Sequence, residues 1–273
     1  YDAEIVAFAA DLGQGQELDF VREKALATGA SEVYIEDLKE EFVGDFVFPM
    51  LRGNAFYEGN YLLGTSIARP LIAKEQIRIA KKCGADGVSH GATGKGNDQV
   101  RFENYITTLD PNMKIIAPVR EWGMGRQEEI EYAHKHNIPI KQTADKPYSY
   151  DDNMWGSTGE GGEIEDPKLI PPLENILEVC THPKDAPDQE EILEIEFIKG
   201  VPVSLNRIPL SMAEIVMKCN EIGAKHGVGI EHLIEDRLVG LKVRGVYEAP
   251  GARVLITAHD RLEKLVSTRN QNE

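Results

Sequence analysis

The feature that most constrains the fold is an alternation, over the first 142 residues, of short apolar runs with longer amphipathic stretches. The short runs have the composition of buried strands: 4–11, 31–37, 87–91, 114–119 and 138–142. The longer stretches repeat apolar residues at helical spacing: 16–28, 38–51, 67–84 and 126–136. Strands that alternate with helices indicate a parallel sheet with helical connections. The sequence therefore predicts an α/β fold built on a doubly wound parallel sheet.

After residue 142 the alternation ends, and we place a domain boundary there, between 1–142 and 143–273. Segment 163–196 carries eleven acidic residues against two lysines, and five prolines, which is typical of a solvated surface excursion. Further along, 191–205, 237–248 and 252–259 are predicted strands. A helix is predicted over 211–227, with Ser211 and Glu214 forming a capping box. The second half is therefore predicted to be α+β.

The charge and the cysteines exclude several classes of protein. With 30 basic and 46 acidic residues the net charge is −16, which disfavours nucleic acid and anionic membranes as partners. No apolar stretch reaches the ~18 residues of a transmembrane helix. Three cysteines without a CxxC pair favour a reducing, cytoplasmic location and argue against a structural zinc site. We expect no bound metal among the His and Cys residues, because none have ligand spacing.

The densest polar segment is SHGATGKGNDQVRF (89–102), which follows a predicted buried strand. Its glycines allow a tight turn whose backbone N–H groups point at an anion. It is not a P-loop, because Asn97 stands where lysine is required. The hydroxyl, ammonium, amide, carboxylate and guanidinium between Thr93 and Arg101 suit a zwitterionic ligand. The alternative is a polar helix start, with Asn97 or Asp98 as its cap.

Other candidate positions each have an ordinary structural explanation. Residues 10–15 form a glycine turn after a strand, but Leu18 breaks the GxGxxG pattern. Thr65 and Ser66 begin a predicted helix, where they would bind a carboxylate or simply cap it. Residues 149–162 form a glycine-rich irregular stretch that suits either a binding loop or a plain surface loop. His90 is a general base or a turn histidine, and no residue is proposed as a catalytic nucleophile.

A set of motifs found in order along the chain is characteristic of one family. They are YLLGTSIARP, VSHGATGKGNDQVRFE, VREW, NMWGSTGEGG, KHGVG and EDRLVGLKVRGVYE. In these motifs the chain closely resembles the argininosuccinate synthases. The resemblance implies an N-terminal nucleotide-binding domain of the adenine nucleotide alpha hydrolase-like, ATP pyrophosphatase type, followed by a synthetase domain.

The resemblance also implies the reaction. Enzymes of this family condense citrulline and aspartate with ATP through a citrullyl-AMP intermediate and release AMP and pyrophosphate. ATP is a substrate, accompanied by Mg²⁺. The family forms a homotetramer in the cytoplasm and serves arginine biosynthesis and the urea cycle.

Site residues follow from the resemblance position by position. Those implied for ATP are Ala10, Ser89, His90, Gly91, Ala92, Thr93, Gly94, Lys95, Gly96 and Asn97. Those implied for aspartate are Thr93, Asn97 and Asp98. Those implied for citrulline are Tyr61, Ser66, Asn97, Arg101, Ser149, Thr158, Glu235 and Tyr247. The family usually has serine at position 158, and threonine keeps the hydroxyl.

Two departures from the family concern the ends of the chain. The family's pyrophosphate-binding loop, SGGLDTS, belongs before Tyr1, and a C-terminal segment of the tetramer belongs after Glu273. We therefore expect both domains to be incomplete and ATP to bind poorly to the chain as given.

Two alternatives to the ligase function stay open. The first is a non-catalytic module that binds a nucleotide or an amino acid; release of AMP and pyrophosphate would distinguish the ligase from such a module. The second is a tRNA-modifying ATP pyrophosphatase, which the net charge disfavours.

Overall fold

The computed structural model describes residues 1–15, 18–94, 96–123, 126–138 and 148–272. The chain forms two compact units, each built from segments that are not contiguous in sequence. The first unit comprises Tyr1–Leu38, Ser66–Pro147 and Asp236–Lys242. The second comprises Lys39–Thr65, Tyr148–Glu235 and Val243–Glu273.

The elements of the N-terminal half alternate as the sequence predicts. The strands are β1 (Val6–Asp11), β2 (Glu32–Asp37), β3 (Gly87–Ser89) and β4 (Lys114–Ile116). The helices are α1 (Leu18–Ala27), α2 (Lys39–Glu41), α3 (Phe48–Arg52), α4 (Gly64–Cys83), α5 (Asn97–Leu109), α6 (Pro118–Trp122) and α7 (Arg126–Lys135). A π-helical segment, Phe42–Val47, joins α2 to α3.

Both strand pairs of the first unit are parallel. β1 pairs with β2 from Val6 opposite Glu32, and β3 pairs with β4 from Gly87 opposite Lys114. Parallel pairs joined by helices agree with the predicted α/β class. In the described residues the two pairs are separate sheets, so the single doubly wound sheet stays a prediction. The strand predicted over 138–142 lies outside the described residues, apart from Ile138.

One core cluster of the first unit is formed where α4 and α5 cover β3 and β4. Fully or nearly fully buried side chains meet there: Ala73, Ile77, Ala80, Val88 and Ile106. Phe102, Met113 and Ile115 pack against this cluster. It holds the carboxyl end of β3 and the first turns of α5, which carry the candidate site, against a rigid base.

The second unit contains two sheets. The first has the strand order β10, β11, β6, β5, with β5 at Ser149–Asn153, β6 at Gly156–Glu160, β10 at Ile230–Asp236 and β11 at Lys242–Glu248. The second has the order β7, β8, β9, at Ile195–Ile198, Val201–Leu205 and Ile208–Pro209. A 3₁₀ helix (Gly162–Glu165) overlaps the start of the acidic segment, and α8 (Leu173–Ile176) lies within that segment.

Two long helices pack against each other in the second unit: α9 (Met212–Lys225) and α10 (Pro250–Val266), which α11 (Arg269–Asn272) follows. Ser211 caps α9 and Glu214 completes the predicted capping box. Among the described helices of both units, none is long and apolar enough to span a membrane.

Three predictions for the second half are wrong or incomplete. Residues 252–259 belong to α10, because Ala252, Leu255, Ile256 and His259 are buried at helical spacing and the apolar run was misinterpreted as a strand. Residues 149–160 form a hairpin, not an irregular loop. The predicted strand 237–248 begins only at Lys242, and the preceding β10 was missed.

Candidate functional site

The candidate residues divide between the two units. In the first unit the site begins where β3 ends. The N–H of His90 donates to Ile116 O at 3.2 Å, so the pairing of β3 with β4 continues one residue into the loop. Gln76 on α4 donates to Ser89 O at 2.9 Å. These bonds fix the point at which the chain leaves the sheet.

The loop from Gly91 to Gly96 leads into α5. Gly96 is the residue before the helix, and no side chain caps it. The segment does begin a helix, but neither Asn97 nor Asp98 is its cap, so the capping residue of that alternative is wrong. The N-terminus of α5 therefore offers backbone N–H groups together with a positive dipole end, which suits an anion. Lys95, predicted to contact ATP, lies outside the described residues.

Asp98, in the first turn of α5, is held by two guanidinium groups. Its Oδ2 accepts from Arg69 Nε at 2.7 Å and lies 2.7 Å from Arg69 Nη2. Its Oδ1 accepts from Arg101 Nη1 at 2.9 Å. The structure thus brings together Asp98 and Arg101, two predicted site residues, and adds Arg69, which sequence reasoning missed. Arg69 follows Ser66 by three residues on α4, a helical spacing that could have indicated it.

Asn97 makes a different contact. Its Oδ1 accepts the N–H of Leu238 at 2.7 Å, within the first unit. Leu238 belongs to the turn between β10 and β11. The oxygen of Asn97 thus holds that turn, and its amide N–H₂ is the donor that the bond leaves for a ligand.

A chain of polar contacts braces the loop. Gln99 Nε2 donates to Gly94 O at 2.6 Å, and Gln99 Oε1 accepts from Arg120 Nη1 at 2.9 Å. Arg120 also pairs with Glu103 at 2.6 Å. His90 Nε2 lies 3.3 Å from the same Glu103 oxygen. His90 is buried and structurally engaged, which supports its interpretation as a turn histidine.

Ala10 lies near the end of β1, and its carbonyl accepts from Gln14 Nε2 at 2.6 Å. Leu12 N donates to Gln14 Oε1 at 2.7 Å, and Gly13 N donates to Asp11 Oδ1 at 2.9 Å. Residues 10–14 therefore form a turn closed by its own side chains. Gln14 was not singled out from the sequence, although a polar residue between two glycines of a strand-end turn is a recognisable signal.

In the second unit, one face of the four-stranded sheet collects the remaining candidates. Paired residues of adjacent strands share a face, and the register pairs Thr158 with Tyr247 and Asp151, and Glu160 with Ser149 and Gly245. Thr158 and Tyr247 are buried, and Ser149 is exposed. Tyr61 packs edge-on against Tyr247, with ring centroids 5.2 Å apart.

Tyr247 and Glu235 form a buried pair on this sheet. The Tyr247 hydroxyl donates to Glu235 Oε2 at 3.0 Å. Burial, reinforced by the charge of Glu235, raises the pKa of Tyr247 far above its usual value. The charge of Glu160 acts in the same direction. Tyr247 is therefore a fixed hydroxyl donor, and Glu160 is a second carboxylate that sequence reasoning missed.

Gly245 explains the position of the Tyr247 ring. A Cβ at position 245 would lie 2.8 Å from Tyr247 Cε2, so any side chain there would displace the ring.

Asn153, in the same motif as Thr158, has a structural role. It donates to Gly64 O at 3.2 Å and accepts from Trp155 N at 2.8 Å.

Ser66 lies in the first turn of α4, as predicted, and is half-buried. With Asn97 and Arg101 it belongs to the first unit, whereas Tyr61, Ser149, Thr158, Glu235 and Tyr247 belong to the second. Across the described ranges, no group of three or more His, Cys, Asp or Glu side chains has the geometry to hold a metal ion.

Comparison with known proteins addresses the family directly. The model for the Arginosuccinate synthase N-terminal HUP domain matches residues 1–139, and that for the Arginosuccinate synthase C-terminal domain matches residues 148–273. The HUP match gives the first half a family fold in keeping with the predicted α/β nucleotide-binding class.

Individual relatives agree with the family models. Argininosuccinate synthase from Carboxydothermus hydrogenoformans is 55% identical over 270 residues, covering 98% of this chain and 67% of the relative. Those from Desulfitobacterium hafniense and Acetivibrio thermocellus are each 52% identical, over 98% and 99% of this chain. The chain spans about two thirds of the length of these relatives. With both halves matched in order, the chain belongs to the argininosuccinate synthase family.

Proposed function

We propose that the protein is an ATP-dependent ligase that condenses L-citrulline and L-aspartate to argininosuccinate, with release of AMP and pyrophosphate, in arginine biosynthesis. Membership of the family over both halves supports the reaction. At the site, the main observation in favour of this reaction is the pairing of Asp98 with Arg101 at the start of α5. A carboxylate that can bind an ammonium group thus lies beside a guanidinium group that can bind a carboxylate. The comparisons do not favour the alternative of a non-catalytic module.

ATP is assigned to the turn after β1 and to the loop between Ser89 and Asn97. The N-terminus of α5 and the backbone N–H groups of the loop would hold phosphate oxygens. The brace from Arg120 through Gln99 to Gly94 O keeps that backbone in place. Mg²⁺ would arrive with ATP as part of the substrate, because phosphate oxygens supply several of its ligands.

Aspartate is assigned to Thr93, Asn97 and Asp98. The carboxylate of Asp98 suits the α-ammonium group, whereas the Thr93 hydroxyl and the Asn97 amide suit carboxylate oxygens. Asn97 is already fixed through its oxygen by Leu238 N, which leaves its donor for the substrate.

A citrulline site needs side chains that bind a carboxylate, an ammonium group and a ureido group. Arg101 suits its carboxylate, and Ser66 and Asn97 add donors. Tyr247 supplies a hydroxyl that stays protonated, and Glu235 a buried carboxylate. Tyr61, Ser149 and Thr158 add further hydroxyls to the proposed set.

The proposed chemistry needs no side-chain nucleophile. The ureido oxygen of citrulline attacks the α-phosphorus of ATP, and the bond to pyrophosphate breaks. The α-amine of aspartate, after losing a proton, then attacks the ureido carbon, and AMP leaves with the bonding electrons. The protein contributes position and charge stabilisation, which are the main contributions in phosphoryl transfer. By analogy with the family we also propose a homotetramer in the cytoplasm.

The test is a comparison of half-reactions in the full-length enzyme. Wild type should form argininosuccinate, AMP and pyrophosphate from the three substrates. Asp98→Asn should retain citrulline-dependent exchange of labelled pyrophosphate into ATP and lose most of the aspartate-dependent step, since an amide cannot pair with an ammonium as an anion does.

Asp110→Asn is the matched control, because Asp110 follows the other end of α5 and pairs with Lys81. It should behave as wild type in both assays. If Asp98→Asn abolishes exchange as well, Asp98 serves the adenylation step. If wild type makes no argininosuccinate, the proposed function is wrong.

A further inference from the structure

We infer that Arg69 is a positioning residue for the aspartate step. In the proposed reaction, on which this inference depends, Arg101 binds a substrate carboxylate and Asp98 binds a substrate ammonium. Arg69 keeps Asp98 in place when Arg101 turns from Asp98 to that carboxylate.

The two guanidinium groups hold Asp98 unequally. Arg69 Nε donates to Oδ2 at 2.7 Å, and the charged Nη2 lies at the same distance from that oxygen. Arg101 places one donor on Oδ1, at 2.9 Å. The contact with Arg101 is thus the one that a substrate carboxylate can replace at lower cost, because such a carboxylate can engage the fork of Arg101 with both oxygens. Oδ1 of Asp98 is then released toward an ammonium group.

The side chain of Arg69 is itself held in place by an aromatic ring. Its guanidinium carbon lies 5.7 Å from the centroid of the Phe102 ring, in a cation–π arrangement. Phe102 stacks on the ring of His90 and packs on the core cluster under α4 and α5. The side chain of Arg69 is only 17% exposed. Arg69 therefore links α4 to α5 through a planar group that is fixed on its face and at its edge.

The charges of the cluster also distinguish the role of Arg69 from that of Arg101. Arg69, Asp98 and Arg101 together carry one positive charge in a mostly buried cluster. A substrate carboxylate completes two matched pairs, Arg69 with Asp98 and Arg101 with the substrate. Without the fork of Arg69, Asp98 would have only Arg101, on its own helix, to orient it, and it would lose that partner once the substrate carboxylate takes Arg101.

The experiment replaces Arg69 with lysine, which keeps the charge but removes the planar fork. In the full-length enzyme, kcat/KM for aspartate should fall about ten- to a hundredfold, the range expected from losing a charge-assisted hydrogen bond. Citrulline-dependent pyrophosphate exchange should stay within about threefold of wild type, as expected for a step that does not use the contact. Phe102→Leu, which removes only the supporting ring, should act in the same direction and less strongly.

Arg78→Lys is the matched control. Arg78 also lies on α4 and also bonds carboxylates, Glu75 at 2.7 Å and Glu36 at 3.3 Å, but it is half exposed. It should leave both assays unchanged. In an Asp98→Asn background, Arg69→Lys should have no further effect on the aspartate step, since its action passes through Asp98.

Three results would overturn the inference while the wild-type activity stands. The first is a wild-type kcat/KM for aspartate in Arg69→Lys. The second is equal loss of exchange and of the aspartate step, which would mean a general effect on the site or fold. The third is a full additional effect of Arg69→Lys in the Asp98→Asn background. Absence of argininosuccinate formation by wild type would instead refute the proposed function.

Discussion

Tyr247 shows how a single buried hydroxyl is stabilised. Its ring is 7% exposed, lies over Gly245 and packs against Tyr61. Its hydroxyl donates to Glu235, which is equally buried. A buried carboxylate needs a donor, so the pair stabilises the fold only while the phenol keeps its proton.

This dependence gives a prediction for alkaline pH. The folded-state pKa of Tyr247 is raised, mainly by burial, above the value of ~10 for an unfolded tyrosine. Below pH ~10 the full stabilisation is present, and above it the unfolded state releases its proton first. In urea unfolding, the stability difference between wild type and Tyr247→Phe should therefore shrink by about 1.4 kcal/mol per pH unit above pH ~10.

Tyr105→Phe is the control for that titration, because the Tyr105 ring is 42% exposed. Its unfolding free energy should run parallel to that of wild type across the same pH range. A difference between wild type and Tyr247→Phe that stays constant from pH 8 to 11 would show that the hydroxyl is not held protonated by the fold.

At the scale of residues, local spacing predicted part of the candidate site. The crowding of polar side chains from Thr93 to Arg101 indicated a zwitterion site, and Asp98 and Arg101 do pair there. Arg69 and Glu160 were missed because their partners come from another helix and other strands. Such pairings depend on tertiary packing, which a single sequence does not display.

At the scale of elements, α10 shows where pattern reasoning failed. Its residues 252–259 are apolar and rich in β-branched side chains, which favours a strand. The buried residues are nevertheless spaced three and four apart, and the helix packs on α9. Tertiary burial outweighed local propensity. The hairpin of β5 and β6 was missed for the opposite reason, since its serines and glycines hide the strand signal until cross-strand partners are known.

The contact of α9 with α10 leaves no room for a side chain at position 251. A Cβ on Gly251 would lie 2.8 Å from Asn220 N and 2.9 Å from Val216 O, which are backbone atoms of α9. Because backbone cannot move aside, Gly251→Ala should destabilise the protein by about 1–3 kcal/mol through overpacking. Thermal unfolding of the purified variant measures the effect.

Gly44→Ala is the matched control. A Cβ there would lie 2.8 Å from the Cε of Met212, the flexible end of a side chain that can rotate away. Its melting temperature should stay close to that of wild type. Equal losses in the two variants would mean that α9 and α10 separate as easily as a methionine changes rotamer, which would contradict the rigid contact.

At the scale of the whole molecule, the compact units do not follow a single cut in the sequence. Segment Lys39–Thr65 belongs to the second unit, although the first unit surrounds it in sequence. Its Phe42, Val43 and Val47 are fully buried. Within that unit Ala213 N donates to Glu40 at 3.2 Å, and Trp155 Nε1 donates to Leu62 O at 3.0 Å. The second unit thus depends on a segment more than eighty residues before Tyr148.

A fragment of residues 148–273 should consequently fail to form a native core by itself. Without 39–65 it lacks the side chains that cover α9 and α10, so it should bind a dye specific for exposed apolar surface and unfold without a sharp transition. Addition of a peptide of residues 39–65 should reduce dye binding and restore cooperative unfolding, because the peptide brings Phe42, Val43, Val47 and Phe48. The same peptide with Phe42→Ser and Phe48→Ser should not. Sharp, two-state unfolding of 148–273 alone would show that this half of the chain folds without the earlier segment.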